Sequence, residues 1–131
     1  MTDPMAAQTA GAQSVPGTDG PISVPSGQPV TLMDVIWNER GPEGLTFRFR
    51  FLAPQIARQG GTVDYETAAV DMLHLCQSYA LPRVPNTGPQ PSQIIISLSD
   101  QPVPFGQTAP QATQFFQPFS FHNGTCIWDI Y

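Results

Sequence analysis

Leu45-Thr46-Phe47-Arg48-Phe49-Arg50-Phe51-Leu52 alternates apolar and polar residues along its length. In an extended chain Leu45, Phe47, Phe49 and Phe51 fall on one side, and Thr46, Arg48 and Arg50 on the other. This is the pattern of a half-buried β-strand. Arg40-Gly41-Pro42-Glu43-Gly44 makes a turn before it and Pro54 ends it. Upstream, Val30 to Trp37 (VTLMDVIW) is apolar. A turn between two apolar runs predicts a hairpin, so this run is read as a second strand.

Downstream, Gly60-Gly61 makes a loop. Asp64 is placed to cap a helix, with Glu66 in the first turn, where the helix dipole favours negative charge. The helix is expected to run to about Ala80 and to stop before Pro82. Tyr65, Ala69, Met72, Leu73, Cys76 and Ala80 form its expected apolar stripe, with Thr67, Asp71, His74, Gln77 and Ser78 opposite. Gln93 to Ser99 reads as a third strand. Near the end, Asn123-Gly124 is the preferred pair for a two-residue type I′ turn. Pairing outward sets His122 opposite Thr125, Phe121 opposite Cys126 and Phe119 opposite Trp128. Phe119, Phe121, Cys126, Trp128 and Ile130 then share the core face. The expected class is α+β: a single antiparallel sheet of about five strands, β-β-α-β-β-β, with one helix packed on one face.

Cys76 and Cys126 are 50 positions apart, which excludes a CxxC redox motif or a zinc knuckle. Both point into the expected helix–sheet interface. A disulfide joining helix to C-terminal hairpin is expected there if the Cα atoms come within about 7 Å; two buried reduced thiols, or a reactive thiol, are the alternatives.

The 131 residues suffice for one domain. Only 11% are charged, the net charge is -5, and all five basic residues are Arg. Such a chain offers no electrostatic footprint for nucleic acid or an anionic membrane. No apolar run is long enough for a membrane span. Residues 1–29, rich in Ala, Gly, Pro, Ser, Thr and Gln and without aromatics, are expected to be a flexible leader. The folded domain is expected over 30–131. Met1 to Gly20 lacks the basic start and apolar run of a secretion signal. The expectation of a periplasmic or otherwise exported protein therefore rests on the cysteines and takes the signal as already removed.

No Walker loop, GxGxxG, HExxH or GxSxG is present. Arg48 and Arg50, two apart on one strand face, are the candidate anion-binding pair, since two guanidinium groups can hold a carboxylate or phosphate bidentately. The competing reading is a strand face whose arginines pair with nearby Asp or Glu. Asp71, His74 and Ser78 lie on one expected exposed helix face, with no pocket and no oxyanion donors, so they are not read as a triad. His74 and His122 would need two further ligands to hold a metal, and none is expected. Asp100 is expected to accept backbone hydrogen bonds in a turn. Trp37 and Tyr131, near element ends, are the candidate partner surface. The proline-rich loops 82–92 and 100–114 are long enough to be functional surface.

FRFLAP at Phe49–Pro54, ISLSD at Ile96–Asp100 with PVPFG following, DMLHLC at Asp71–Cys76 and CIWD at Cys126–Asp129 resemble a family of short, uncharacterised bacterial exported proteins. The resemblance spans about Val30 to Tyr131, outside the leader. It implies no catalytic residue and no cofactor. The functional expectation is a non-enzymatic exported domain, a binding or accessory module of an envelope assembly with a protein partner. A small anion-binding protein or enzyme centred on Arg48 and Arg50, and a structural envelope protein without ligand, are the alternatives.

Overall fold

Phe47, Phe49 and Phe51 are buried in the core, as their alternation predicts. A computed structural model of the chain describes residues 13–17, 20–41, 44–85, 87–88 and 90–129. Its strands are β1 (Gln13–Pro16), β2 (Thr31–Gly41), β3 (Gly44–Leu52), β4 (Gln93–Ser99), β5 (Gln114–His122) and β6 (Thr125–Trp128). Helix α1 (Tyr65–His74) lies between β3 and β4. The strands form one sheet in the order β1-β2-β3-β4-β5-β6. The class is α+β, with six described strands rather than about five.

One strand pair departs from the expected antiparallel sheet. β3 and β4 run parallel, Phe47 beside Ile94, Phe49 beside Ile96 and Phe51 beside Leu98. The reason is the connection. Parallel neighbours need a long crossover connection, and the helix between β3 and β4 supplies one, carrying the chain back so that β4 re-enters in the direction of β3. The remaining pairs are antiparallel. The C-terminal hairpin has the predicted register, with His122 opposite Thr125, Phe121 opposite Cys126 and Phe119 opposite Trp128. Asn123 and Gly124 both take positive φ (52° and 76°), as a type I′ turn demands. Trp128 differs from expectation: it is 49% exposed, because only the Cys126 end of this short edge strand is covered.

The expected flexible leader over 1–29 is corrected in its described part. Gln13–Pro16 pairs with Asp34–Trp37 as β1. Val24 and Val30 are buried in the core cluster, and the Ile22 amide donates to the Val30 carbonyl. A few well-spaced apolar residues anchor a segment whose average composition is polar.

Asp64 caps α1 by accepting from the Thr67 amide (2.8 Å), and that bond holds its carboxyl below the usual carboxylate range. After His74 the helix widens: over Leu75–Ala80 it becomes π-helical, the Leu81 amide reaching the Cys76 carbonyl. The buried residues are Ala68, Asp71, Met72, Leu75, Cys76, Tyr79 and Ala80, while Tyr65 and Leu73 are exposed. The covered face is therefore rotated from the expected stripe, and Asp71 is inside it. Residues 22–30 cover the flank of the helix that the sheet leaves open. There Asp71 accepts from the Ser26 amide (2.9 Å), the Ser26 hydroxyl (2.5 Å) and Gln28 Nε2 (2.7 Å).

Cys76 and Cys126 form a disulfide with Cα atoms 6.2 Å apart. Beside it Gln77 Oε1 accepts from the Cys126 amide (2.8 Å), and Gln77 Nε2 donates to the Gly124 carbonyl. The helix thus holds β6 by one covalent bond and two hydrogen bonds. No described helix is long and apolar enough to cross a membrane.

Three outcomes are expected from these contacts. Replacing Cys76 and Cys126 together by Ser removes a crosslink closing a 50-residue loop and is expected to lower the urea-unfolding free energy by about 4 kcal/mol. Asp71→Ala strands three donors and is expected to cost about 3 kcal/mol. Hydrogen exchange should show the Ser26 amide losing protection before the strand amides of β3 and β4.

Candidate functional site

The sheet has two faces of different character. One carries the phenylalanine core and the helix. The other carries Asp34, Arg48, Arg50, Ser97, Phe116 and Ile127 by the same alternation. The candidate anion pair, Arg48 and Arg50, stands at its centre. Neither guanidinium is free. Arg48 Nε donates to Glu39 Oε1 (2.9 Å) and Nη1 to the Ser97 hydroxyl (3.2 Å). Arg50 is buried; its Nη1 donates to Asp34 Oδ2 (2.9 Å) and its Nη2 to the Val103 carbonyl oxygen. Two guanidinium groups against two carboxylates leave the site without net charge.

The loop after β4 is laid over this face. It is tied at its base by Asp100, which accepts from the Thr113 amide (2.9 Å) as its turn position predicts. Val103 is buried against the sheet, and a turn closed by the Gln107 amide on the Pro104 carbonyl lifts Phe105 outward. Gly106 takes φ +85°, the backbone this turn needs after Phe105. The Phe105 ring centre lies 5.8 Å from the Arg48 guanidinium carbon and 5.6 Å from that of Arg50. Phe116 approaches Arg48 at 6.0 Å. These are cation–π distances. Between the loop and the strands lies a cavity of about 150 Å³, lined among others by Arg48, Ser97, Phe105, Gln107 and Gln114. Phe105 and Phe116 stay 43% and 61% exposed, and Ile127 on the same face 51%.

The other candidates stand elsewhere. Trp37 is on the helix side, edge-on to Phe47 (4.6 Å) and Phe49 (6.1 Å) and partly buried against the core. Tyr131 lies outside the described residues, as does Ile130. His74 sits at the end of α1 and His122 at the hairpin turn, neither among the residues lining the arginine cavity. Ser78 donates to the His74 carbonyl (2.7 Å), and Asp71 is committed to Ser26 and Gln28. No group of three His, Cys, Asp or Glu side chains suited to a metal ion occurs among the described residues.

Phe116 was legible in principle: carrying the hairpin register back from Phe119 and Phe121 by alternation puts Phe116 on the opposite face. Phe105 was not, because no periodicity reaches across a proline-rich loop. Asp71 had a signal in its helical neighbours Ala68 and Leu75, three residues before it and four after.

Together these features define a disulfide-linked α+β domain with one face of its sheet packed by a helix and the other bearing a charge-balanced arginine–aromatic surface. The chain belongs to a family of unknown function (DUF6497), which matches residues 4–131. The match takes in most of the segment expected to be a leader. No curated protein and no solved structure matches the chain.

Asp34 reports on the site. Burial raises its carboxyl above the ordinary value of 3.8, and the Arg50 guanidinium partly offsets this. A group that ionises less readily when folded opposes stability once ionised. Its cost is absent below the unfolded value and complete once pH has risen past the folded one. Carboxyl ¹³C titration is expected to place the Asp34 midpoint above 3.8, and Arg50→Gln is expected to raise it further. A midpoint at or below the ordinary value would contradict this account.

Proposed function

We propose that the protein is a non-enzymatic, exported binding module, an accessory part of an envelope assembly, that docks another polypeptide on the helix-free face of its sheet. One observation carries the reading. Phe105 and Phe116 are exposed beside Arg48, and Ile127 is exposed farther along the same face. Aromatic residues with a central arginine are the composition of interface anchors. Export is supported by the disulfide, a bond that persists in oxidising compartments, and by the resemblance to bacterial exported proteins.

The sheet edges favour docking on the face over strand addition. At one edge Pro16 has no amide to offer a partner strand. At the other, Gln77 occupies the Cys126 amide and the Gly124 carbonyl. The anion-binding alternative has less support, since Glu39 and Asp34 already neutralise Arg48 and Arg50. An enzymatic role would need an acid or base aimed into the cavity to activate its Ser97 or Ser99 hydroxyl, and the rest of its described polar lining is arginine and glutamine.

The double variant Phe116→Asp/Ile127→Asp tests the reading. Affinity purification from native envelope fractions is expected to recover a stoichiometric partner with the parent protein and to lose it with the variant, at unchanged melting temperature. Recovery undiminished by the variant would overturn the docking face. Failure of the parent to retain any stoichiometric partner would favour the structural alternative.

A further inference from the structure

The protein already holds one peptide segment on this face, and it is its own. Arg50 Nη2 donates to the Val103 carbonyl oxygen, and the Phe105 ring, two residues further on, lies 5.6 Å from the same guanidinium. The segment is Pro102-Val103-Pro104-Phe105. Its prolines fix φ, and each disfavours the helical region for the residue before it. An extended proline segment leaves carbonyls open to outside donors: here Val103 accepts from Arg50, while the Pro104 carbonyl closes the turn on the Gln107 amide.

Arg48 repeats this arrangement with one place open. It lies on the same strand face, two residues before Arg50. Its Nε is spent on Glu39 and its Nη1 on Ser97, while Nη2 makes no hydrogen bond among the described residues. The Phe105 and Phe116 ring centres lie 5.8 Å and 6.0 Å from its guanidinium carbon, the Phe116 ring being 61% exposed. The cavity of about 150 Å³ reaches this guanidinium, with Gln107 and Gln114 also lining it.

Resting on the docking face described above, we propose that Arg48 and Phe116 receive an extended proline- and aromatic-containing peptide segment of the partner. A backbone carbonyl of the segment accepts from Arg48 Nη2, and its proline or aromatic ring covers Phe116. The choice of chemistry follows from three observations. The site is charge-balanced, so a charged side chain gains little there. Its open donor is one guanidinium nitrogen, which suits a single carbonyl oxygen. Its exposed rings match the flat apolar surfaces of proline and phenylalanine, the same pairing by which proline-rich segments dock aromatic grooves.

The probe is the chain's own strap in trans, the capped hexapeptide acetyl-Gln-Pro-Val-Pro-Phe-Gly-amide, titrated into the ¹⁵N-labelled, disulfide-intact protein. The Arg48 side-chain Nε–H and the Ser97 and Phe116 amides are expected to shift saturably, while Val70 and Leu73 on the outer helix surface stay fixed. Arg48→Lys keeps the charge but loses the planar fork, and is expected to weaken binding by about tenfold. Phe116→Ala, and alanine in place of the peptide's phenylalanine, should each weaken it comparably. Absence of shifts at Arg48 and Phe116 up to millimolar peptide, or equal affinity in Arg48→Lys and Phe116→Ala, overturns the proposal. So does a shift of the same signals with protein concentration alone, which would assign the face to a second copy of the chain. Loss of the envelope partner in Phe116→Asp/Ile127→Asp without any hexapeptide shift overturns only the peptide chemistry. Failure of both experiments overturns the docking face itself.

Discussion

The grip of the helix on the last strand is what the rest of the molecule depends on. Cys76 and Gln77 are consecutive residues. One bonds covalently to β6, and the other hydrogen-bonds the Cys126 amide of that strand and the Gly124 carbonyl of the turn before it. β6 is only four residues long and contacts the rest of the sheet through β5 alone. Anchored at that edge, the helix lies across β4 and its neighbours and seals Phe49, Phe51, Ile94, Ile96 and Phe119 from water. Burial of side chains of this size is worth about 2 kcal/mol each, so a displaced helix would forfeit a large part of a typical domain's net stability. The widened helical turn over Leu75–Ala80 falls where the chain presents Cys76 and Tyr79 to the sheet.

The same clamp divides labour between the two faces. With the helix committed to one side, the other is free to carry arginines and exposed rings. Those arginines are costly to bury unless paired. Glu39 and Asp34, both on β2, supply the pairing, and the Val103 carbonyl completes it for Arg50. A guanidinium stays protonated at any physiological pH. Its contribution here is geometric: a fixed plane of donors with aromatic ring centres 5.6 to 6.0 Å away, suited to recognition more than to proton transfer.

The N-terminal segment shows how composition can mislead. Residues 20–30 are mostly Gly, Pro, Ser and Gln, yet Val24, Gln28 and Val30 are buried and Ser26 and Gln28 close over Asp71. Average polarity measures how much surface a segment offers for burial. It does not register a few residues that meet a partner already in place. Asp71 looks solvent-facing on the helix for the complementary reason: its three donors come from residues more than forty positions upstream.

What the amino-acid order alone determined was local. It set the alternation of β3, the cap at Asp64, the Asn123-Gly124 turn with its register, and the inward aim of Cys76 and Cys126. Each is dictated by backbone geometry acting over a few residues, so a short window contains the information. Only the tertiary structure decided that β3 and β4 run parallel, that residues 13–30 join the sheet and core, and that Arg48 and Arg50 meet carboxylates under a phenylalanine from a loop more than fifty residues away. Those outcomes depend on which distant surfaces come to face one another. That is settled by burying the whole apolar surface at once while leaving its charges paired, a condition no single stretch of chain expresses.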